Sequence, residues 1–308
     1  MLEGADRTLS WKSQLDRHIR KQISVFYKHF ASDKVFLERL NVYKAHLAHS
    51  EKLATHLANA MPFGYKGVAR ELALLFAGLP AQESRLNDEA FNKRTGATGA
   101  FQITEVAMLG LLPTLKNISG QKYSGRNISE AMRELNSFEI SSKLALVHLL
   151  KVIIKSRMFA DLIDLRVALN MSDQSFNQFA ALVILNAYNT GQGAVSKSLH
   201  GFLLTVTGLK ENESRKVALS GKRSINYSIE HATLSKLRKM NALEIFYVFS
   251  QMARKNKWHA TYGREASEYA LKILAARLYM ADRNILPLHG GFAGLSPSDF
   301  RSPKKNKV

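Results

Sequence analysis

The sequence predicts an all-α protein, and three observations carry that reading. Apolar residues recur at helical spacing along most of the 308-residue chain. The strict alternation that marks a half-buried strand between turns is nearly absent. Only six prolines interrupt the chain, so long helices can run unbroken.

The first helix starts near Ser10 in WKSQLDRHIRKQISVFYKHFA, with Leu15, Ile19, Ile23 and Phe26 at helical spacing. A second runs through VFLERLNVYKAHLAHSEKLATHLANAM to Pro62. The next segment, VARELALLFAGLPAQES, is more uniformly apolar, which marks a buried helix. It ends at Glu83 and Ser84, and a polar turn and a glycine loop follow. Helical pattern resumes over residues 128–171. Its most apolar part, residues 144–165, is cut by His148, Lys151, Lys155 and Arg157, so it reads as buried amphipathic helix and not as a membrane span. QSFNQFAALVILNAY is the next helix. A polar, basic stretch over residues 210–226 separates it from a helix near residues 243–255 and another in EASEYALKILAARLYM. The closing SPSDFRSPKKNKV is polar, basic and proline-containing, and reads as disordered. No internal repeat is visible.

Charge narrows the partners. Lysine and arginine outnumber acids by 44 to 25, a net charge of +19. Such a chain suits polyanions: nucleic acid, acidic glycan, anionic wall polymer or membrane surface. The competing reading is that the charge only aids solubility. The absence of cysteine excludes disulfides and thiolate chemistry. MLEGADRTLSWKSQLDRHIRK contains no apolar signal core, which fits either a cytoplasmic protein or a mature periplasmic or secreted form with its leader removed.

Four islands carry residues suited to chemistry. They are Glu83-Ser84 with Asn87, GATGAFQI over residues 96–103, NAYNTGQGAV over residues 186–195, and EASEYALKIL over residues 265–274. Together they resemble the signature of the soluble-lytic-transglycosylase type of peptidoglycan-cleaving enzyme, of the lysozyme-like superfamily. That pattern has a Glu-Ser pair, a Gly-Ala-x-Gly…Gln loop, an Ala-Tyr-Asn-x-Gly motif, and a late Glu followed four residues on by Tyr. Here these match Glu83-Ser84, Gly96 to Gly99 with Gln102, Ala187-Tyr188-Asn189-Thr190-Gly191, and Glu265 with Tyr269. The resemblance covers residues 68–105, 175–197 and 260–280. It departs at Glu105 and Gln192, where the family has proline, and at Ala266, where it has threonine. One extra residue lies between Glu83 and Gly96.

The resemblance implies a lysozyme-like catalytic domain over residues 66–290 with long insertions, an N-terminal helical extension over 1–65 and a basic, disordered tail over 291–308. It implies that Glu83 is the catalytic acid, and that Ser84, Gly99, Gln102, Tyr188, Asn189, Glu265 and Tyr269 line the substrate site. The substrate would be peptidoglycan glycan strands, cut between N-acetylmuramic acid and N-acetylglucosamine, with no metal and no cofactor. With a single carboxylate, the acetamido group would stabilise C1 and the C6 hydroxyl of the same sugar would attack it, leaving a 1,6-anhydro end.

The residue types suit that chemistry. A Glu at the end of a buried helix is desolvated, which raises its pKa and keeps its proton available near neutrality. Glycines take positive φ and let backbone approach a sugar ring. Gln102 can both donate and accept hydrogen bonds, and Tyr188 and Tyr269 offer ring faces and hydroxyls. Most glycosidases use two carboxylates; the nearest second ones here, Asp88 and Glu89, lie in the polar turn, outside the expected cleft. Three alternatives stay open: a hydrolytic muramidase using the same Glu83, an inactive basic wall-binding module on the same scaffold, and a nucleic-acid-binding helical protein. The last leaves the four islands unexplained, so nucleic acid is not the expected partner.

Other signals read as structure. His46, His49 and His56 fall near one helical face without a carboxylate in register, so packed or solvated histidines are expected there and not a metal site. Trp11 and Trp258 are expected to pack and not to stack on sugars. LSGKRSINYS, residues 219–228, is basic and aromatic, and fits a loop touching an anionic glycan or nucleic acid.

Overall fold

The structure is a computed structural model that describes residues 3–155, 157–208, 231–288 and 291–300, without the side chains of residues 3–11, 152–155 and 231–233. The basic stretch at 210–226, the residues 301–308 and the side chain of Trp11 lie outside the described residues. Among those described, regular structure is helical throughout, and extended pairing is limited to isolated bridges. The all-α expectation therefore holds. No described helix is long and apolar enough to cross a membrane.

Thirteen helices are described. They are α1 (Glu3–Ser32), α2 (Lys34–Ala60), α3 (Phe63–Phe76), α4 (Gly78–Ser84), α5 (Glu105–Ser119), α6 (Ile128–Arg133), α7 (Phe138–Lys155), α8 (Arg157–Leu169), α9 (Asp173–Thr190), α10 (Gln192–Thr207), α11 (His231–Leu237), α12 (Ala242–Asn256) and α13 (Arg264–Asp282). Ser10 lies within α1, which starts earlier than expected; serine is a neutral helix residue when no cap is required of it.

The contacts divide the chain into two compact units, each built from two stretches: Arg20–Lys151 with Leu271–Val308, and Met1–Ile19 with Val152–Ala270. This is a different division from the one expected at residues 65 and 290. Long helices contribute to both units.

In the first unit α2 is capped by Asp33, whose side chain accepts the Phe36 N–H at 3.1 Å. Phe36, Leu40, Leu47 and Ala54 form its buried stripe. Met61 and Pro62 are extended, and α3 then returns along α2. Arg277 on α13 is fully buried and ties three chain segments together. It donates to the carbonyls of Leu74 (2.8 Å), Leu286 (2.7 Å) and Pro287 (2.8 Å), and pairs with Glu51 on α2 at 2.8 Å. The expected disordered tail is ordered over residues 291–300. Phe292, Leu295 and Phe300 are buried, Phe300 stacks on Tyr27 at 5.9 Å, and Asp299 pairs with Arg20 at 3.2 Å. Three apolar anchors outweigh a polar composition there.

In the second unit α10 packs on α8, α9, α11 and α12. Phe249 meets Phe179, Phe202 and Tyr262 edge to face, with ring centres 6.4, 5.5 and 5.9 Å away. Trp258 covers Gly201 on α10 so closely that a Cβ there would fall 2.7 Å from the indole. Its packing role is the one expected.

Candidate active site

The position of Glu83 follows from α4. A Cβ on Gly78 would lie 2.5 Å from the carbonyl oxygen of Ile273 on α13, so only glycine lets α4 start there. Gly78, Leu79, Pro80 and Ala81 are all buried. The helix stops because Arg85 and Leu86 take left-handed conformations, with φ of 54° and 61°. Leu86 drops into the core, and Arg85 pairs with Asp33 at 3.0 Å. Each such residue costs roughly 1–2 kcal/mol. Of the seven non-glycine residues described with positive φ, three lie between Arg85 and Gln102. Strain concentrated in one loop and held by its surroundings is a feature of functional sites.

Glu83 and Ser84 are half-buried at the end of α4. The Ser84 hydroxyl lies 2.8 Å from the carbonyl oxygen of Ala100, to which it donates, and it accepts the Asn87 N–H at 2.9 Å. Ser84 thus staples the acid-bearing helix to the glycine loop, a positioning role that the sequence reading, which placed it against substrate, did not foresee. The loop itself is knit by isolated antiparallel bridges, Phe91 to Thr98 and Thr98 to Ile103. Phe101 anchors it, stacked on Phe76 at 5.3 Å and edge-on to Phe138 at 5.5 Å.

Gly96 and Gly99 have φ of 69° and 80°, as the loop reading requires. Their surroundings differ. Space beside Gly96 is open, whereas a Cβ on Gly99 would meet the carbonyl oxygen of Leu135 at 2.3 Å. The backbone at Gly99 therefore approaches the protein's own chain closely. Gln102 donates from Nε2 to the carbonyls of Ala90 (3.1 Å) and Gly99 (3.0 Å). Its amide nitrogen, expected to reach substrate, braces the loop.

Asp88 is engaged by the hydroxyl of Tyr43 on α2, and burial together with that carboxylate pushes the Tyr43 phenol up to about 12. The Tyr43 ring also lies 5.1 Å from Phe138, as does that of His46 at 5.6 Å. Among the described residues no cluster of three or more His, Cys, Asp and Glu could hold a metal ion.

Glu83, Ser84, Gly99 and Gln102 thus belong to one helix end and one loop, in the first unit. The other four expected site residues fall in the second unit. Tyr188 is half-buried and Asn189 exposed in the last turn of α9, which ends at Gly191 with φ of 86°. Glu265 is exposed in the first turn of α13. Tyr269 is 1% exposed, so its ring is core and offers no face to a sugar in this conformation. Asn186 opens the third island but was given no role in the sequence reading. It is fully buried and donates to the Tyr262 hydroxyl at 2.5 Å, while Ser250 lies 3.4 Å from the same oxygen. Burial pushes the Tyr262 phenol well above its ordinary value. This network fixes the end of α9 that carries Tyr188. The only hint in sequence was a polar residue inside an apolar run.

These observations define a class: an all-α chain with a half-buried glutamate stapled to a strained glycine loop. No protein-family model, curated protein or solved structure matches the chain. The likeness to lytic transglycosylases rests on the four motifs.

Proposed function

We propose that the protein cleaves peptidoglycan glycan strands as a lytic transglycosylase, with Glu83 as its single acid and then base. The observation that carries this reading is the Ser84 staple. It fixes a half-buried carboxyl group beside a loop whose left-handed residues are held in place by Phe101, Gln102 and Leu135. Preorganisation of that kind suits a proton donor, which must sit within hydrogen-bond reach of the leaving oxygen. In the proposed reaction Glu83 gives its proton to the oxygen leaving with N-acetylglucosamine, and the bond from that oxygen to C1 of N-acetylmuramic acid breaks. The C6 hydroxyl of the same muramic acid bonds to C1 and returns its proton to Glu83. No water is consumed, and the product ends in a 1,6-anhydro sugar. Asp88, the nearest second carboxylate in sequence, is engaged by the Tyr43 hydroxyl. Such a protein would work in the periplasm or outside the cell.

The test is incubation of purified sacculi with the wild-type protein and with Glu83→Gln. Wild type should release soluble muropeptides that are one water lighter than hydrolytic products and resist borohydride. Glu83→Gln should fold normally and lose at least about 10²-fold in rate, the lower range of general acid catalysis. Reducing-end products would make the protein a muramidase. Release of nothing by wild type would sink both enzyme readings and leave a wall-binding module.

A further inference from the structure

The turn between α2 and α3, within the first unit, carries an apolar group that the proposed reaction does not use. Ala60, Met61, Pro62 and Phe63 run in sequence there, and all but the half-buried Met61 are exposed. Phe63 is 98% exposed, more than any other large apolar side chain described. Single exposed apolar residues are ordinary on a protein surface, but a consecutive run of them is not. The exposure is built in. Met61 and Pro62 are both extended, with ψ of 148°, so the chain leaves the line of α2 before Phe63 opens α3. Arg70 donates from Nε to Asn59 Oδ1 at 2.9 Å and ties the two helices together just behind the turn. A Cβ on Gly64 would meet nothing within 4 Å, so the next position is open as well. The charge around this tip has one sign. From Lys52 to Arg70 the hairpin contains no Asp or Glu, while Lys52, Lys66 and Arg70 are cationic. Glu51, the acid just before, is taken by the buried Arg277. Lys66 and Arg70 lie roughly 5 and 10 Å along α3 from Phe63, within about one Debye length of a surface that the ring touches.

We propose that this tip docks on an anionic lipid bilayer, with Phe63 in the interfacial layer and Lys66, Arg70 and Lys52 near lipid phosphates. The ring gains by leaving water, and aromatic side chains favour that layer. Each cation held close to an anionic surface adds to the attraction. Other occupants satisfy one half of the tip. A neutral glycan offers Phe63 a sugar face but gives the cations nothing. An anionic wall polymer satisfies the cations but holds no apolar phase for the ring. A second copy brings the same positive charge to the same turn, which repels. Single-stranded nucleic acid supplies both rings and phosphates, but it is held in grooves that track its backbone, and a projecting turn suits a flat surface better. The contact is peripheral: one side chain enters the interface, and no described helix is long and apolar enough to cross a membrane. The proposal stands apart from the cleavage reading, because it uses none of the chemistry of Glu83.

Flotation of the full chain with lipid vesicles at physiological salt tests it. Wild type should float with vesicles of equal parts phosphatidylglycerol and phosphatidylcholine, and stay behind with phosphatidylcholine alone. Phe63→Ser should weaken binding to the anionic vesicles about tenfold. Lys66→Glu should weaken it about fivefold or more. Phe63 is almost fully exposed, so Phe63→Ser should keep the wild-type unfolding temperature and the wild-type retention on sacculi. Phe63→Trp reads the insertion directly. Its emission, taken as the difference from wild type with Trp11 and Trp258, should shift to the blue on anionic vesicles and be quenched by brominated lipid. No flotation of wild type, equal flotation with neutral vesicles, equal flotation of Phe63→Ser, or no blue shift in Phe63→Trp overturns the proposal. Two further outcomes overturn it by naming another occupant. A loss of sacculus retention in Phe63→Ser, with vesicle binding unchanged, assigns the turn to wall polymer. Binding of a single-stranded oligonucleotide that Phe63→Ser abolishes, with vesicle binding unchanged, assigns it to nucleic acid.

Discussion

Gly96 and Gly99 are indistinguishable in sequence, two glycines of one loop, yet they answer to different constraints. Both have positive φ, so alanine at either should cost about 1–2 kcal/mol through backbone strain alone. Gly99 also faces the Leu135 carbonyl, where a Cβ would sit at 2.3 Å. Gly99→Ala should therefore lose more than about 3 kcal/mol in urea unfolding and Gly96→Ala clearly less. Equal losses would mean that the approach to Leu135 relaxes freely. The positive φ was legible, because a glycine pair after a helix end points to it. The neighbour was not, since Leu135 is far off in sequence and meets Gly99 chiefly through its backbone carbonyl. Ser84 and Gln102 tell the same story. Their polarity was visible and suggested substrate, but their partners are main-chain carbonyls, which no residue type advertises.

At the scale of helices, periodicity located α2, α3, α9, α12 and α13 well, because an apolar stripe is what each buries. It could not foresee Arg277, a charge within the most buried part of α13. Burial draws its guanidinium pKa down, and Glu51 opposes that shift. Removing Arg277 leaves Glu51 and three carbonyls without their donor, so Arg277→Met should destabilise by about 3–5 kcal/mol in urea unfolding. A loss under about 1 kcal/mol would show that water replaces it. The contact of α8 with α10 makes a prediction of opposite sign. Asp161 lies 3.4 Å from His200, and burial raises its carboxyl pKa above the ordinary 3.8. The folded state then holds that proton more tightly than the unfolded chain does. Stability from this group is present below the unfolded pKa and is lost as pH rises through the folded one. Near about pH 8 Asp161→Asn should therefore raise the unfolding temperature. The gain should shrink as pH falls towards about 4. A gain that does not vary with pH would remove ionisation as its cause.

Over the whole molecule, the net charge of +19 should draw the protein to anionic wall polymer through screened attraction. Retention on sacculi should fall steeply between about 0.05 and 0.5 M salt, as the Debye length shortens from roughly 14 to 4 Å. Flat retention would assign the charge to another purpose. Charge was legible as a sum; the division into units was not, because each unit joins stretches distant in sequence and no linker marks the seam. That discontinuity has a consequence for synthesis. Glu51 and Leu74 leave the ribosome long before Arg277, the donor that completes their bonding, and Phe300 follows later still. The helix bearing Glu83 starts against Ile273, so it too is made before its partner exists. The pairing of α2 with α3 can form early, but their bonds to Arg277 and the seat of α4 against Ile273 must wait until α13 has emerged. A copy that stops short of Ile273 carries the full Glu83 motif without the helix on which α4 is seated.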